Sequence, residues 1–361
     1  MKVLLPSRYS QLAASSRIRT YQYLPFLQSS GIEVTTSSLF DDEYILNLYA
    51  GKRVSGVSLL KAFAVRLRAM MQKKKFDLIW VEKEMLPWLP GWLEKLLAGR
   101  GTPWIIDYDD AIFHSYDRHK RGVVRAMLGQ KIDGLMAHSS LVIAGNEYLA
   151  SRARHAGAEH VEILPSVVDL ERYTGSAVSG ESHIDQHKVF SIGWMGSPAT
   201  KNYLLVIRAA LKEACLKDGV KLILVGLGNF ELPDVHAEIR PWTEATEIEE
   251  LRRFDAGIMP LADDDWSRGK CGYKLIQYMA SSLPVIPSPV GANKDIIEDG
   301  VNGILASSNN EWVSAIRTLI NDRKLGMSMG INGRKSVEAR YCLQRNGPIL
   351  ADLMHEIAEA S

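Results

Sequence analysis

The chain has little that would tie it to a bilayer, a metal or an oxidising compartment. No apolar run reaches the ~18 residues needed to span a membrane, which predicts a soluble or peripheral protein. There are only three cysteines, Cys215, Cys271 and Cys342, and they lack metal-ligand spacing. An odd count with no signal-peptide pattern predicts single thiols in a reducing cytoplasm. Net charge is also nearly absent, with 43 basic against 42 acidic residues. A balance so close to neutral argues against general nucleic-acid affinity. Internal repeats and low-complexity tracts are missing as well. The charge is unevenly spread, however: residues 1–168 hold 22 Lys and Arg against 16 Asp and Glu, and residues 169–361 hold 21 against 26. The first half is therefore expected to face something anionic.

What is present is material for two cores. A chain of 361 residues, 46% hydrophobic and 24% charged, is globular and long enough for two domains. Lys2–Leu5, Gly31–Thr36, Phe76–Val81, Pro103–Ile106 and Leu141–Ala144 read as strands. Helical periodicity lies between them, clearest over Val57–Lys75, Gly122–Ala137 and Glu147–His155. Around Gly175–His183 the periodicity gives way to small polar residues, the composition of a linker. A second series follows, with strands at Lys188–Ile192, Val220–Val225, Ala256–Met259 and Val285–Ile286. Its helices are read at Asn202–Cys215, Tyr273–Ser281, Trp312–Ile320 and Pro348–Ala360. The expected division is a first domain over 1–170, a linker over 171–187 and a second domain over 188–344, with a terminal helix over 345–361. Alternating strands and helices predict α/β domains with parallel sheets.

The densest motif is Arg268-Gly-Lys-Cys-Gly-Tyr-Lys-Leu-Ile-Gln-Tyr-Met-Ala-Ser-Ser-Leu-Pro-Val-Ile-Pro-Ser-Pro-Val-Gly291. A cationic turn, a short helix, a Pro-led strand and a glycine turn follow one another directly. Lys270 at the expected helix start and Lys274 four residues on are placed on one side of the first turn, where exposed amides and ammonium groups neutralise phosphate. The segment resembles the donor-site signature of retaining GT-B glycosyltransferases of the group 1, family 4 kind, in which a helix ending in Tyr-Met-Ala precedes Leu-Pro-Val and a Ser-x-x-Gly turn. That resemblance implies the GT-B fold, two Rossmann-like domains facing a central cleft, with the last helix crossing back onto the first domain. The family's Glu-x7-Glu pair falls on Gly269 and Gln277, so both carboxylates are missing. An amide at 277 keeps an acceptor oxygen for a ribose hydroxyl but loses the charge-assisted bond.

The resemblance implies a donor site in the second domain. Gly193-Trp-Met-Gly196 and Lys201 stand where the family holds the diphosphate, with Trp194 in place of its arginine. Lys201, Lys270 and Arg268 are expected to share the charge of the leaving diphosphate. Gly226, Gly272 and Gly291 supply turns, and Trp242 in Arg240-Pro-Trp-Thr243 either packs on the base or fills the core. On the acceptor side, Ser15 and Ser16 replace the family's paired glycines, followed by Arg17. Asp109 and Asp110, at the end of a strand, are candidates to orient or deprotonate an acceptor hydroxyl, with His114 beside them. The Asp107-Tyr-Asp109 pattern invites a metal, but it lies in the expected acceptor domain while the diphosphate belongs to the other, so no metal and no other cofactor is expected.

Lys52–Lys75 carries eight basic residues and no acidic one, interleaved with Leu59, Leu60, Phe63, Val65, Leu67, Met70 and Met71. Such a helix either packs its apolar side on the sheet or lies on an anionic bilayer. The reading is a cytoplasmic glycosyltransferase, peripheral on the inner face of the cell membrane, moving a sugar from a nucleotide-diphosphate sugar to a glycan or lipid-linked acceptor with retention. Its place would be surface-polysaccharide or lipopolysaccharide assembly. The rivals are a non-catalytic sugar- or nucleotide-binding paralogue, favoured by the missing carboxylates, and a sugar-nucleotide epimerase.

Overall fold

The computed structural model describes residues 1–49, 51–52, 55–99, 101–174, 189–228 and 230–360. Most of the expected linker, residues 175–187, lies outside them. Two parallel sheets carry the chain. The first has six strands: β1 (Lys2–Leu5), β2 (Glu33–Thr36), β3 (Leu78–Glu82), β4 (Trp104–Tyr108), β5 (Leu141–Ala144) and β6 (Val161–Ile163). The second has five: β7 (Ser191–Met195), β8 (Lys221–Val225), β9 (Ala237–Arg240), β10 (Ala256–Met259) and β11 (Val285–Pro287). Their orders are β2-β1-β3-β4-β5-β6 and β11-β10-β7-β8-β9.

The central strands are unbroken apolar runs because helices cover both faces. Leu78, Ile79, Trp80 and Val81 of β3 are fully buried, as are Leu141, Val142, Ile143 and Ala144 of β5. The strands β6 and β9 are not expected from the sequence. Each is a short edge strand, partly exposed and carrying Glu162 or Glu238, so neither shows a buried run.

The described residues form two compact units. The first takes Met1–Val167, Arg268–Cys271 and the chain from Leu343 onward; the second takes Val168–Ser267 and Gly272–Cys342. Arg268–Cys271 thus departs from the uninterrupted second domain expected over 188–344. The terminal helix Leu343–Glu359 packs on helix Leu24–Ser29 and on β3. Its Leu350, Met354 and Ile357 join Val3, Leu5 and Trp80 in one core. It begins five residues before Pro348, where the sequence pattern places its first turn. In the second unit the helix Arg323–Arg340 is absent from the sequence-based expectation, and a glycine stripe explains why. Gly330 lies so close to the Ser282 carbonyl that a Cβ would fall 2.0 Å from its oxygen, and Gly333 packs on Met279.

Candidate functional site

In the second unit the winding starts at β7 and runs to β8 and β9 on one side, then to β10 and β11 on the other. The reversal falls between β7 and β10, and open α/β sheets bind ligands beyond the carboxyl ends of the strands at such a point. The turn after β7 holds Gly196 and the turn after β8 holds Gly226 at φ +86°. These two turns touch: a Cβ on Gly226 would fall 2.3 Å from the Gly196 carbonyl oxygen and 3.1 Å from Trp242 Cβ. A Cβ on Gly196 would meet the Trp194 ring at 2.3 Å and Lys274 Cε at 2.9 Å. The glycines therefore form a floor flanked by an indole and an ammonium.

Each flanking group is held. Lys274 Nζ lies 5.1 Å above the Trp194 ring, a cation–ring contact that fixes the ammonium beside Gly196. Trp242 is half-buried and donates from Nε1 to Glu247 at 3.1 Å. Arg240 forks onto Glu250, fixing the end of β9 to helix Glu247–Leu251 and with it the turn that carries Trp242. Lys201, on the 3-10 helix Pro198–Ile207, lies 5.3 Å from the Phe230 ring centre.

Other expected donor residues do something else. Gly193 lies inside β7, where the Phe254 ring occupies the space of a side chain, and Trp194 is buried in the same strand. Gly272, at φ +68°, turns the chain into helix Tyr273–Ala280 and packs on Ile296. Gln277 is buried beside the Tyr173 hydroxyl. Gly291 takes φ +54° just before helix Asn293–Ile296.

Lys270 requires a correction. It precedes the left-handed Gly272 and is not on the helix with Lys274. Its segment is seated in the first unit. Asn146 Nδ2 donates to the carbonyls of Gly269 and Lys270 at 3.1 Å each. Gly269 abuts Ala111, and Gly145 abuts the Cys271 sulfur, so neither position has room for a side chain. Burial pushes the Cys271 thiol well above the usual range and keeps it inert. Lys270 Nζ meets Asp110 Oδ1 at 3.2 Å. Arg268 is exposed at the end of the short helix Asp265–Arg268.

In the first unit the winding reverses between β1 and β3, a switch point as well. Ser7 and Arg8 follow β1, Glu82 ends β3, and Lys83 and Glu84 continue from it. Glu84 N donates to the Glu82 carbonyl at 2.7 Å, closing a γ-turn whose centre, Lys83, has φ +64°. Lys83 Nζ lies 2.8 Å from Asp109 and 3.5 Å from Asp110. Burial raises Asp110, but Lys270 and Lys83 outweigh it and hold the carboxyl below its ordinary range. Asp110 is thus a poor proton acceptor, which argues against the deprotonating role considered for it.

Around this pair the charges are matched and mostly buried. Burial raises Glu82, which accepts from Ser16 Oγ at 2.7 Å and from Arg8 N at 2.9 Å. Asp107 is likewise raised by burial, although Arg19 is bonded to it and Trp80 Nε1 lies at 3.4 Å. Glu84 takes Lys131 at 2.7 Å, Arg8 at 3.2 Å and the Tyr116 hydroxyl at 2.8 Å. Ser16 is consequently part of the scaffold, and Ser15 beside it is half-buried on helix Ala14–Arg19. Arg17 is buried and turns back to the Leu12 carbonyl. His114 has both ring nitrogens engaged, with Asp117 and with the Tyr148 hydroxyl, at 2.9 Å each. Sequence reasoning misses Glu82-Lys83-Glu84. The available signal is three charges directly after a buried run, at the position where β-strands hand over to site loops.

The basic stretch forms helix Gly56–Met71 and a 3-10 turn over Lys73–Lys75. Arg66 faces inward, donating to the carbonyls of Ser7, Ser37 and Met85; burial pushes it down to about 10. Lys73 caps Leu97 and Ala98 on helix Gly91–Ala98. Arg53 lies outside the described residues. Leu60, Val65, Met71, Trp92 and Leu96 are exposed among the remaining cations. No described helix is long and apolar enough to cross a membrane.

Residues 186–322 match the model of the family described as glycosyl transferases group 1. That stretch is similar to the group 1 glycosyltransferases. An uncharacterized glycosyltransferase of Methanocaldococcus jannaschii is 39% identical over 66 residues, which is 18% of this chain and 19% of that protein. Over nearly the whole length the fold is that of GT-B glycosyltransferases. Anabaena HepE in complex with UDP-glucose aligns with TM-score 0.70 and 16% identity, covering 99% of this chain and 100% of HepE. WaaG, a glycosyltransferase involved in lipopolysaccharide biosynthesis, aligns with TM-score 0.67 and 12% identity, covering 98% and 99%. The glycine floor at Gly196 and Gly226, with Lys201, Trp242 and Lys274, lies within the part matched to the glycosyltransferase family.

Proposed function

We propose that the chain transfers a hexosyl group from a uridine-diphosphate sugar to a hydroxyl of a glycan or lipid-linked acceptor, with retention, in surface-polysaccharide or lipopolysaccharide assembly. The observation that carries this is the floor of Gly196 and Gly226 at the switch point of the second sheet, flanked by Trp242 and Lys274. A floor without side chains lets the diphosphate come close to the backbone, and Lys201 and Lys274 supply charge where the departing diphosphate gains it. In this reading Trp242 faces the base and Asp109 and Asp110 serve the acceptor. The basic, apolar face of helix Gly56–Met71 rests on anionic lipid.

No divalent metal is assigned. The Asp-x-Asp pair is already spoken for: Asp107 is bonded to Arg19 and Asp109 to Lys83. The missing Glu-x7-Glu carboxylates favour one other reading, a paralogue that binds the nucleotide sugar without turning it over. Thermal shift with UDP, UDP-glucose, GDP and other sugar nucleotides, followed by slow donor hydrolysis without acceptor, separates the two. The transferase reading expects stabilisation by a nucleotide sugar and release of free sugar, both retained after exhaustive chelation. Stabilisation with no turnover supports the paralogue, no stabilisation by any nucleotide refutes the donor site, and activity lost to chelation and restored by Mg²⁺ or Mn²⁺ refutes the metal-free mechanism.

A further inference from the structure

Lys83 combines two features that nothing in the fold requires together. Its backbone has φ +64° at the centre of a γ-turn, a conformation that is strained for a non-glycine residue and persists only where the surroundings enforce it. Its side chain is only 5% exposed, yet it ends in an ammonium set between two carboxylates. A glycine would relieve the backbone and could not supply that ammonium. The turn sits at the β1/β3 switch point and directs the side chain to the loop after β4.

We propose that Lys83 is the positioning residue of the acceptor side: its ammonium holds the Asp109 and Asp110 carboxylates as a pair to which a hydroxyl-rich acceptor donates hydrogen bonds. This rests on the reading of the chain as a glycosyltransferase. Asp109 and Asp110 keep 14% and 25% of their side chains exposed, so they remain reachable while Lys83 does not. A carboxylate between two ammonium groups, Lys83 and Lys270, accepts hydrogen bonds strongly and protons weakly. Asp110 therefore suits recognition of a polyol better than removal of its proton. The charged and titratable groups facing Lys83 and Asp110 are Asp109, Glu82, Lys270 and the Cys271 thiol.

The test compares Lys83→Met with Lys83→Arg in the full chain, using retained UDP binding and circular dichroism to establish folding. Aspartate carboxylates are titrated by carbon-13 NMR. In Lys83→Met the Asp110 midpoint is expected to rise by about one pH unit or more, because one of its two cations is gone; in Lys83→Arg it stays low. Glycerol serves as the probe acceptor with UDP-glucose as donor. The ratio of glucosyl-glycerol to free glucose should fall about tenfold to a hundredfold in Lys83→Met and recover in Lys83→Arg. An unmoved Asp110 midpoint, or an unchanged product ratio in Lys83→Met, overturns the proposal. If the unmodified chain turns over no UDP-glucose, the transferase reading fails for that donor, and the carboxylate titration still decides whether Lys83 holds the pair.

Discussion

Lys201 and Lys274 differ in what surrounds them, and that difference sets what their removal should do. Lys274 extends over the buried Trp194 beside Gly196, whereas Lys201 is half-buried near Phe230. Both ammonium groups lie over an aromatic ring in the part of the chain matched to the glycosyltransferase family. Removing either by Lys→Ala should weaken UDP binding by about 1.5–3 kcal/mol, the range for hydrogen bonds to charged groups. Calorimetric titration of UDP into both variants checks this, and parent-like affinity in both would remove these lysines from the diphosphate. The two positions are legible in the sequence because lysines after glycine turns and at helix starts carry a recognisable pattern. The burial of Arg17 and Ser16, and the engagement of His114, are not legible. Each depends on partners distant in sequence, such as Glu82 for Ser16 and Tyr148 for His114.

At the scale of elements, the central strands announce themselves as buried apolar runs, while the helix Arg323–Arg340 does not. Gly326, Gly330 and Gly333 read as breaks, since glycine within a helix costs about 1 kcal/mol relative to alanine. The structure uses them for approach. Gly330 lies against the backbone of Ser282, in the turn that follows helix Tyr273–Ala280, and Gly333 lies against Met279 in that helix. At Gly326 a Cβ would have no neighbour closer than 3.5 Å, which is ordinary van der Waals contact. The two sites should therefore respond with opposite signs. Gly326→Ala should stabilise by about 0.4–1 kcal/mol through the unfolded chain. Gly330→Ala forces a backbone to move and should destabilise by about 1–3 kcal/mol. Urea unfolding of both variants measures the contrast, and equal effects would show that helix Arg323–Arg340 is not held by close backbone packing.

Over the whole molecule, the excess of positive charge in residues 1–168 meets an unusual distribution of apolar surface. Among the described residues, eleven of the twenty-three exposed large hydrophobic side chains fall between Leu46 and Leu96. Charge asymmetry is visible in the sequence, but which apolar residues stay outside is not, because Met70 is buried and Met71 is 80% exposed. The same stretch presents Lys61, Arg68, Lys74 and Lys75 to solvent. Arg66 is excluded from that surface by its three backbone carbonyls. A face with exposed leucines and charge of one sign suits an anionic bilayer, where each surface lysine contributes about 1 kcal/mol and each buried methylene about 0.8 kcal/mol. The two contributions separate experimentally. Raising salt toward 1 M shortens the Debye length to about 3 Å and should remove the lysine part, as should Lys74→Gln with Lys75→Gln. Leu60→Ser with Met71→Ser should instead lower binding at every salt concentration. Co-sedimentation with vesicles of phosphatidylcholine and phosphatidylglycerol gives the reading, and binding indifferent to both the anionic lipid and the salt would leave this face without a lipid partner.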